Sequence, residues 1–278
     1  MATARNGDVE IYYETFGDPA DPTLLLINGL GSQCINYADA WCQKFAAEGY
    51  QVARFDNRDT GLSSKLEGVD YSLADMANDA IAVLDALGVS RAHVMGLSMG
   101  GAIVQRLAVD HPDRLLSMTS VMSATGEPDY GQSSPEAFAV LMSPPASGRE
   151  EYVENHLKAL AVYGSKPEWQ DDEHNRARAG AAYDRCFCPS GIARQVRAIV
   201  SDGPRADALR KVTVPALVLH GSRDTLIDPS GGRRTAELIP GATYVEFEGM
   251  GHDYPPAIWD RWVSTWASFA GPSTSSRA

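Results

Sequence analysis

The chain has 278 residues, and its 44% hydrophobic and 22% charged content suits a folded globular protein of one large domain or two small ones. Its 36 acidic residues outnumber 24 Lys and Arg, a net charge of −12 that repels phosphate backbones and anionic lipid and argues against nucleic acid and membrane surfaces as partners. No apolar run reaches the ~18–20 residues needed to span a bilayer, the polar N-terminus does not read as a signal peptide, and four cysteines are too few for a disulfide scaffold. A cytoplasmic protein with reduced thiols is expected.

In chain order, Asn6-Gly7 is a hairpin turn signal, and residues 9–14 alternate apolar with polar as a half-buried strand does. Residues 24–27 form a short continuous apolar run that ends at Asn28-Gly29, which suits a strand buried on both faces. A helix is predicted over 41–48, a strand over 51–55 and a loop over 56–61. Apolar residues at 73, 76, 77, 80, 81, 84 and 87 carry the helical period, and Gly88 follows as a C-terminal signal. A strand at 92–97, a helix at 100–109 ended by His111-Pro112, and a strand at 115–122 come next. The last strands are expected at 216–220 and 243–247, followed by a Trp-rich helix at 257–269 and a disordered tail at 271–278.

This alternation predicts the α/β class, with a mostly parallel sheet covered on both faces. It breaks between residues 125 and 205, where Pro, Gly and charge mix with helical pieces such as 152–163. That stretch reads as a lobe inserted over one edge of the sheet, dividing the core into residues 1–124 and 206–270.

The strongest local signal is Gly96-Leu97-Ser98-Met99-Gly100, placed between a predicted strand and a predicted helix. A nucleophilic serine raised on such a turn needs small neighbours so that strand and helix can approach. The helix N-terminus also lends partial positive charge to the serine oxygen. Its base must be a histidine, and the chain has six. His93 and His111 lie on the flanking elements, and His156 and His174 are expected to be solvated in the lobe. His220 reads as structural. His252, in the glycine-rich loop after the last strand, is the expected base. Asp224, just past the penultimate strand, is preferred over Asp228 as the orienting acid. The order Ser98, Asp224, His252 suits the motif. Backbone N–H groups of Met99 and Leu30 are the expected oxyanion donors.

With Asn28-Gly29-Leu30-Gly31, residues 56–63, the Gly96–Gly100 elbow, the segment from His220 to Asp224, and Gly251-His252, the chain resembles an α/β-hydrolase from about residue 8 to 270. The resemblance implies an eight-stranded sheet, a helical cap after the sixth strand, and cofactor-free hydrolysis of an ester or related small molecule. It is most similar to the aclacinomycin methylesterase type. The segment from Asp56 to Ser63, the elbow, and the separation of Asp224 from His252 carry that similarity. Many members have His-Gly where this chain has Asn28-Gly29; the donors there are backbone, so the mechanism survives the change. The expected function is that of a serine carboxylesterase. Lactonase, perhydrolase, C–C hydrolase and non-catalytic binding protein are the alternatives. No metal or nucleotide motif is present, and both monomer and homodimer are compatible with the sequence.

Overall fold

The structure is a computed structural model and describes residues 2–271. Strands β1 (Ala2–Asn6) and β2 (Val9–Phe16) form a hairpin, followed by β3 (Thr23–Ile27), α1 (Asp39–Ala47), β4 (Gln51–Phe55), α2 (Leu73–Ala86), β5 (Ala92–Leu97), α3 (Met99–Asp110) and β6 (Leu115–Val121). Helices α4 (Pro135–Leu141), α5 (Arg149–Tyr163), α6 (Asp172–Arg185), α7 (Pro189–Asp202) and the short α8 (Ala206–Leu209) come before β7 (Ala216–Gly221). The chain then runs through α9 (Ser230–Leu238) and β8 (Thr243–Phe247) to α10 (Trp259–Ala270). All eight strands join one sheet in the order β1-β2-β4-β3-β5-β6-β7-β8, with β2 antiparallel to both its neighbours and every later pairing parallel.

Outside residues 125–205 the elements follow the predicted ones closely, with strand β1 and helices α8 and α9 added. Gly7, at φ +60°, makes the predicted turn, but β1 before it buries only Ala4, and its apolar positions are small alanines that give little signal to read. The expected tail lies outside the described residues except for Gly271, whose carbonyl accepts a bond from the Tyr50 hydroxyl at 2.6 Å.

Period-two alternation sorts the strand side chains into two cores. Leu25, Ile27, Ala53, Phe55 and Val94 face the side covered by α2 and α3. Leu24, Leu26, Val52, Met95 and Leu97 face α1 and α10, where Trp41, Phe45, Trp262 and Trp266 pack together. The Trp-rich last helix is thus a core element, and the continuous apolar run of β3 reflects burial on both faces.

Sheet order places the site. From β3 the chain moves outward to β4, then crosses back over β3 to β5. The reversal leaves a crevice beyond the carboxyl ends of β3 and β5, where open α/β sheets bind ligands.

At that point α3 crosses the sheet at backbone contact. A Cβ on Gly96 would lie 2.0 Å from the Gly100 carbonyl oxygen, and one on Gly100 would lie 2.1 Å from the Ile27 oxygen and 2.8 Å from that of Asn28. Glycine is required at both positions because none of these carbonyls can withdraw without moving α3, a central strand or its outgoing loop. Replacing Gly100 with Ala is expected to destabilise the protein by about 3 kcal/mol. A lowered urea midpoint with unchanged slope would report this. Gly148→Ala is the control, since no atom lies within 4 Å of its Cβ position; equal midpoints for the two variants would contradict the crossing.

Candidate active site

Ser98 sits between β5 and α3 at φ 57°, ψ −118°. A non-glycine residue is held in this sparsely populated region at a cost of about 1–3 kcal/mol. Its amide donates to the Val121 carbonyl at 2.9 Å, tying the turn to β6. Met99 opens α3, so its N–H has no intrahelical partner and shares the positive end of the helix dipole. The loop leaving β3 passes alongside: a Cβ on Gly29 would stand 3.2 Å from Ser98 Cβ and 3.8 Å from its Oγ. Leu30, Ser98 and Met99 line one cavity.

Next to Leu30, the amide of Gly31, at φ +67°, donates to Gln195 Oε1 at 2.9 Å, and Gln195 Nε2 donates to the Arg58 carbonyl at 2.8 Å. Gln195 is fully buried and braces the loops after β3 and β4 from α7. As a single polar residue in an amphipathic helix, it carries no local sequence signal. Asn28, also fully buried, accepts a bond from Asn36 Nδ2 at 3.3 Å on its side chain.

Asp224 and His252 follow neighbouring strands, β7 and β8, paired at Gly221 and Phe247. His252 Nδ1 donates to Asp224 Oδ2 at 2.7 Å, which leaves Nε2 as the free ring nitrogen. The other carboxylate oxygen accepts from the Leu226 and Ile227 amides, each at 2.9 Å. Burial alone would raise the Asp224 carboxyl; the charge of adjacent His252 and hydrogen bonds from His220 and His252 outweigh it and hold it down at about 2. His220 is buried, with Nε2 2.8 Å from the Ile227 carbonyl and 3.4 Å from Asp224 Oδ2, in keeping with its structural reading. Asp228 is exposed and accepts from the Ser230 amide.

The His252 loop is held by the end of α5. The His252 amide donates to the Tyr163 carbonyl at 2.6 Å and the Gly251 amide to Ser165 Oγ at 3.0 Å. A Cβ on Gly251 would fall 2.2 Å from the carbonyl carbon of Gly164, so glycine before the histidine permits this approach.

Two carboxylates in the segment from Asp56 to Ser63 anchor the other helices. Asp56 pairs with Arg185 of α6 at 2.8 Å, and Asp59 is gripped by Arg194 of α7 at 2.8 and 2.7 Å. Both carboxylates are fully buried. Losing one partner of such a pair strands a buried charge, a cost of about 3–5 kcal/mol.

Between these helices and the strand ends lies a cavity of about 470 Å³. Ser98 and His252 share its wall with Met99, Leu160, Ile192 and Leu226, and with polar Tyr152, His156 and Arg178. His156 departs from its expected solvated state because α6 packs against α5 and covers it. Burial, with the nearby Arg178 charge, lowers its pKa to about 4. Arg178 and His156 lie in helices with weak apolar patterns, and only the small Ala179, Gly180 and Ala182 beside Arg178 hint at a packed face. The thiols of Cys34, Cys42, Cys186 and Cys188 are free. Among the described residues no helix is long and apolar enough to cross a membrane.

Residues 22–254 match the family model for the alpha/beta hydrolase fold. The chain is 34% identical to the rhodomycin D methylesterase DauP of Streptomyces sp. (strain C5) over 275 residues, covering 90% of this chain and 91% of that one. It is 29% identical to the putative carbamate hydrolase RutD of Caulobacter vibrioides (strain NA1000 / CB15N), over 88% of this chain and 89% of the relative. Among solved structures, the enol-lactonase from Burkholderia xenovorans LB400 superposes with a TM-score of 0.79 at 25% identity, covering 96% of this chain and 99% of that one. The sheet order, the serine elbow and these matches agree: the chain belongs to the α/β-hydrolase fold family and is a hydrolase.

Proposed function

We propose that the protein is a serine carboxylesterase in which Ser98 is the nucleophile, His252 the general base and Asp224 the orienting acid. The observation that carries this reading is the 2.7 Å bond from His252 to buried Asp224, with His252 and Ser98 on the wall of one cavity. The methylesterase relative supports an ester as substrate.

Ser98 Oγ attacks the ester carbonyl carbon while its proton passes to His252 Nε2. The carbonyl oxygen becomes an oxyanion held by the Met99 and Leu30 N–H groups, which are fixed in place before the reaction and so require no reorganisation. Collapse breaks the bond to the alkoxy oxygen, which leaves as the alcohol with the proton from His252, and the acyl group stays on Ser98. Water then gives a proton to His252 Nε2 and attacks the acyl carbon. The second collapse releases the carboxylic acid and returns the proton to Ser98. Throughout, ionised Asp224 fixes the tautomer of His252 and stabilises its cationic form.

Helices α4 to α7 act as the cap in this reading, as residues 125–205 were expected to do, and shape the acyl and alcohol sites. The four free thiols support the reducing cytoplasm as its location. Lactone hydrolysis is a second reading, favoured by the likeness to the enol-lactonase, because a lactone is a cyclic ester open to the same steps.

Turnover of short-chain esters is the test. Ser98→Ala is expected to lower kcat by on the order of 10⁶, and Asp224→Asn, which strands the base in the wrong tautomer, by roughly 10⁴. A Ser98→Ala enzyme within tenfold of the wild type would overturn the assignment.

A further inference from the structure

The cavity wall carries a cation with no counter-ion among the described residues. Every other arginine between residues 125 and 205 is paired with a carboxylate, Arg185 with Asp56 and Arg194 with Asp59 among them. Arg178 of α6 has only neutral partners: it donates to Asn36 Oδ1 at 3.0 Å and to His156 Nε2 at 3.4 Å. His156 is uncharged near neutral pH, because burial and the Arg178 charge hold its pKa down. Asp253, the acidic residue on the same wall, is already engaged by the Ser165 amide and hydroxyl and by Gln170 Nε2. The Nε atom of Arg178 is buried and has no partner.

Arg178 is half-buried; an unpaired guanidinium partly withdrawn from water is costly, and a charge kept in a ligand cavity has its simplest reason in the ligand. After its bonds to Asn36 and His156, the planar fork of Arg178 retains Nε–H and further N–H donors on its terminal nitrogens. Two such donors, side by side, match the two oxygens of a carboxylate.

We propose that the substrate is an ester carrying a second, free carboxylate, which Arg178 binds while Ser98 attacks the ester carbonyl. The apolar wall formed by Leu160, Ile192 and Leu226 takes the chain between the two groups. This proposal rests on the esterase reading above and adds the charge of its substrate.

Methanol release from monomethyl glutarate and from methyl pentanoate, matched in length and differing in charge, tests it. The wild type is expected to favour the anionic ester in kcat/KM by about tenfold or more. Arg178→Met should lower that ratio by on the order of 10- to 100-fold, the range of a charged hydrogen-bonded pair. Arg178→Lys should keep part of it. The ratio is taken within one protein, so a change in folded fraction cancels. Cleavage of methyl pentanoate with no anionic preference in the wild type, or a preference unchanged in Arg178→Met, overturns this proposal and leaves the esterase reading standing. Failure to cleave either ester overturns both. Should the variants not fold, inhibition of wild-type methyl pentanoate cleavage decides: glutarate is expected to compete and neutral glutaramide not to. Equal effects of the two would overturn the proposal.

Discussion

The contact of α3 with the ends of β3 and β5 is the constraint from which the site follows. Hydrogen atoms at Gly96 and Gly100 let the helix backbone rest against both strands, where a methyl group at Gly96 would overlap the Gly100 carbonyl and one at Gly100 the carbonyls of Ile27 and Asn28. That closeness brings Gly29 beside Ser98 and sets Leu30 and Met99 on a shared cavity wall. The positive φ of Ser98 is the local cost, and it is borne by a turn anchored on β6 and by a helix buried along most of its length. The reversal of strand order at this point supplies the crevice. The placement of Ser98, of the Leu30 and Met99 amides and of the cavity therefore follows from one close packing event.

Asp224 and His252 depend on a different pair of strands, and the helices before β7 join the two halves. Asp224 needs no more than its turn and the two amides that follow it. His252 is less self-sufficient, because its loop hangs from the carboxyl end of α5 through the Tyr163 carbonyl and the Ser165 hydroxyl. The helices α6 and α7 are tied back to the loop after β4 through Asp56 and Asp59. The same loop, through Arg58 and Gln195, reaches the Gly31 amide next to Leu30. A displacement of these helices would thus reach the His252 loop and the loop of Gly29 to Gly31 together.

What could be read from the residues was local in origin. The elbow glycines, the apolar run of β3, the order of Ser98, Asp224 and His252, and the choice of Asp224 over Asp228 each rest on a few neighbouring residues and a strand end. The residues that escaped reading depend on distant partners. β1 carries no apolar side chain larger than alanine and is a strand only because β2 pairs with it. Gln195 and Arg178 act across loops far away in the chain, and His156 is shielded by a helix that the residue pattern did not reveal. The helix α6 buries Asn175, Ala179 and Gly180, which form no conventional apolar stripe. Asp56 and Asp59 were noticed as features of a related group of sequences, and their reason, two arginines more than a hundred residues away, is visible only in the fold.

The central claim is that Ser98 is an activated nucleophile, and it can be tested without knowing the substrate. The protein is incubated with a fluorophosphonate, its intact mass recorded, and any adduct located by peptide mapping. The account predicts a single adduct on Ser98 that is lost in a folded His252→Ala variant. An unmodified Ser98 in folded wild-type protein, or an adduct that forms as readily without His252, would contradict it.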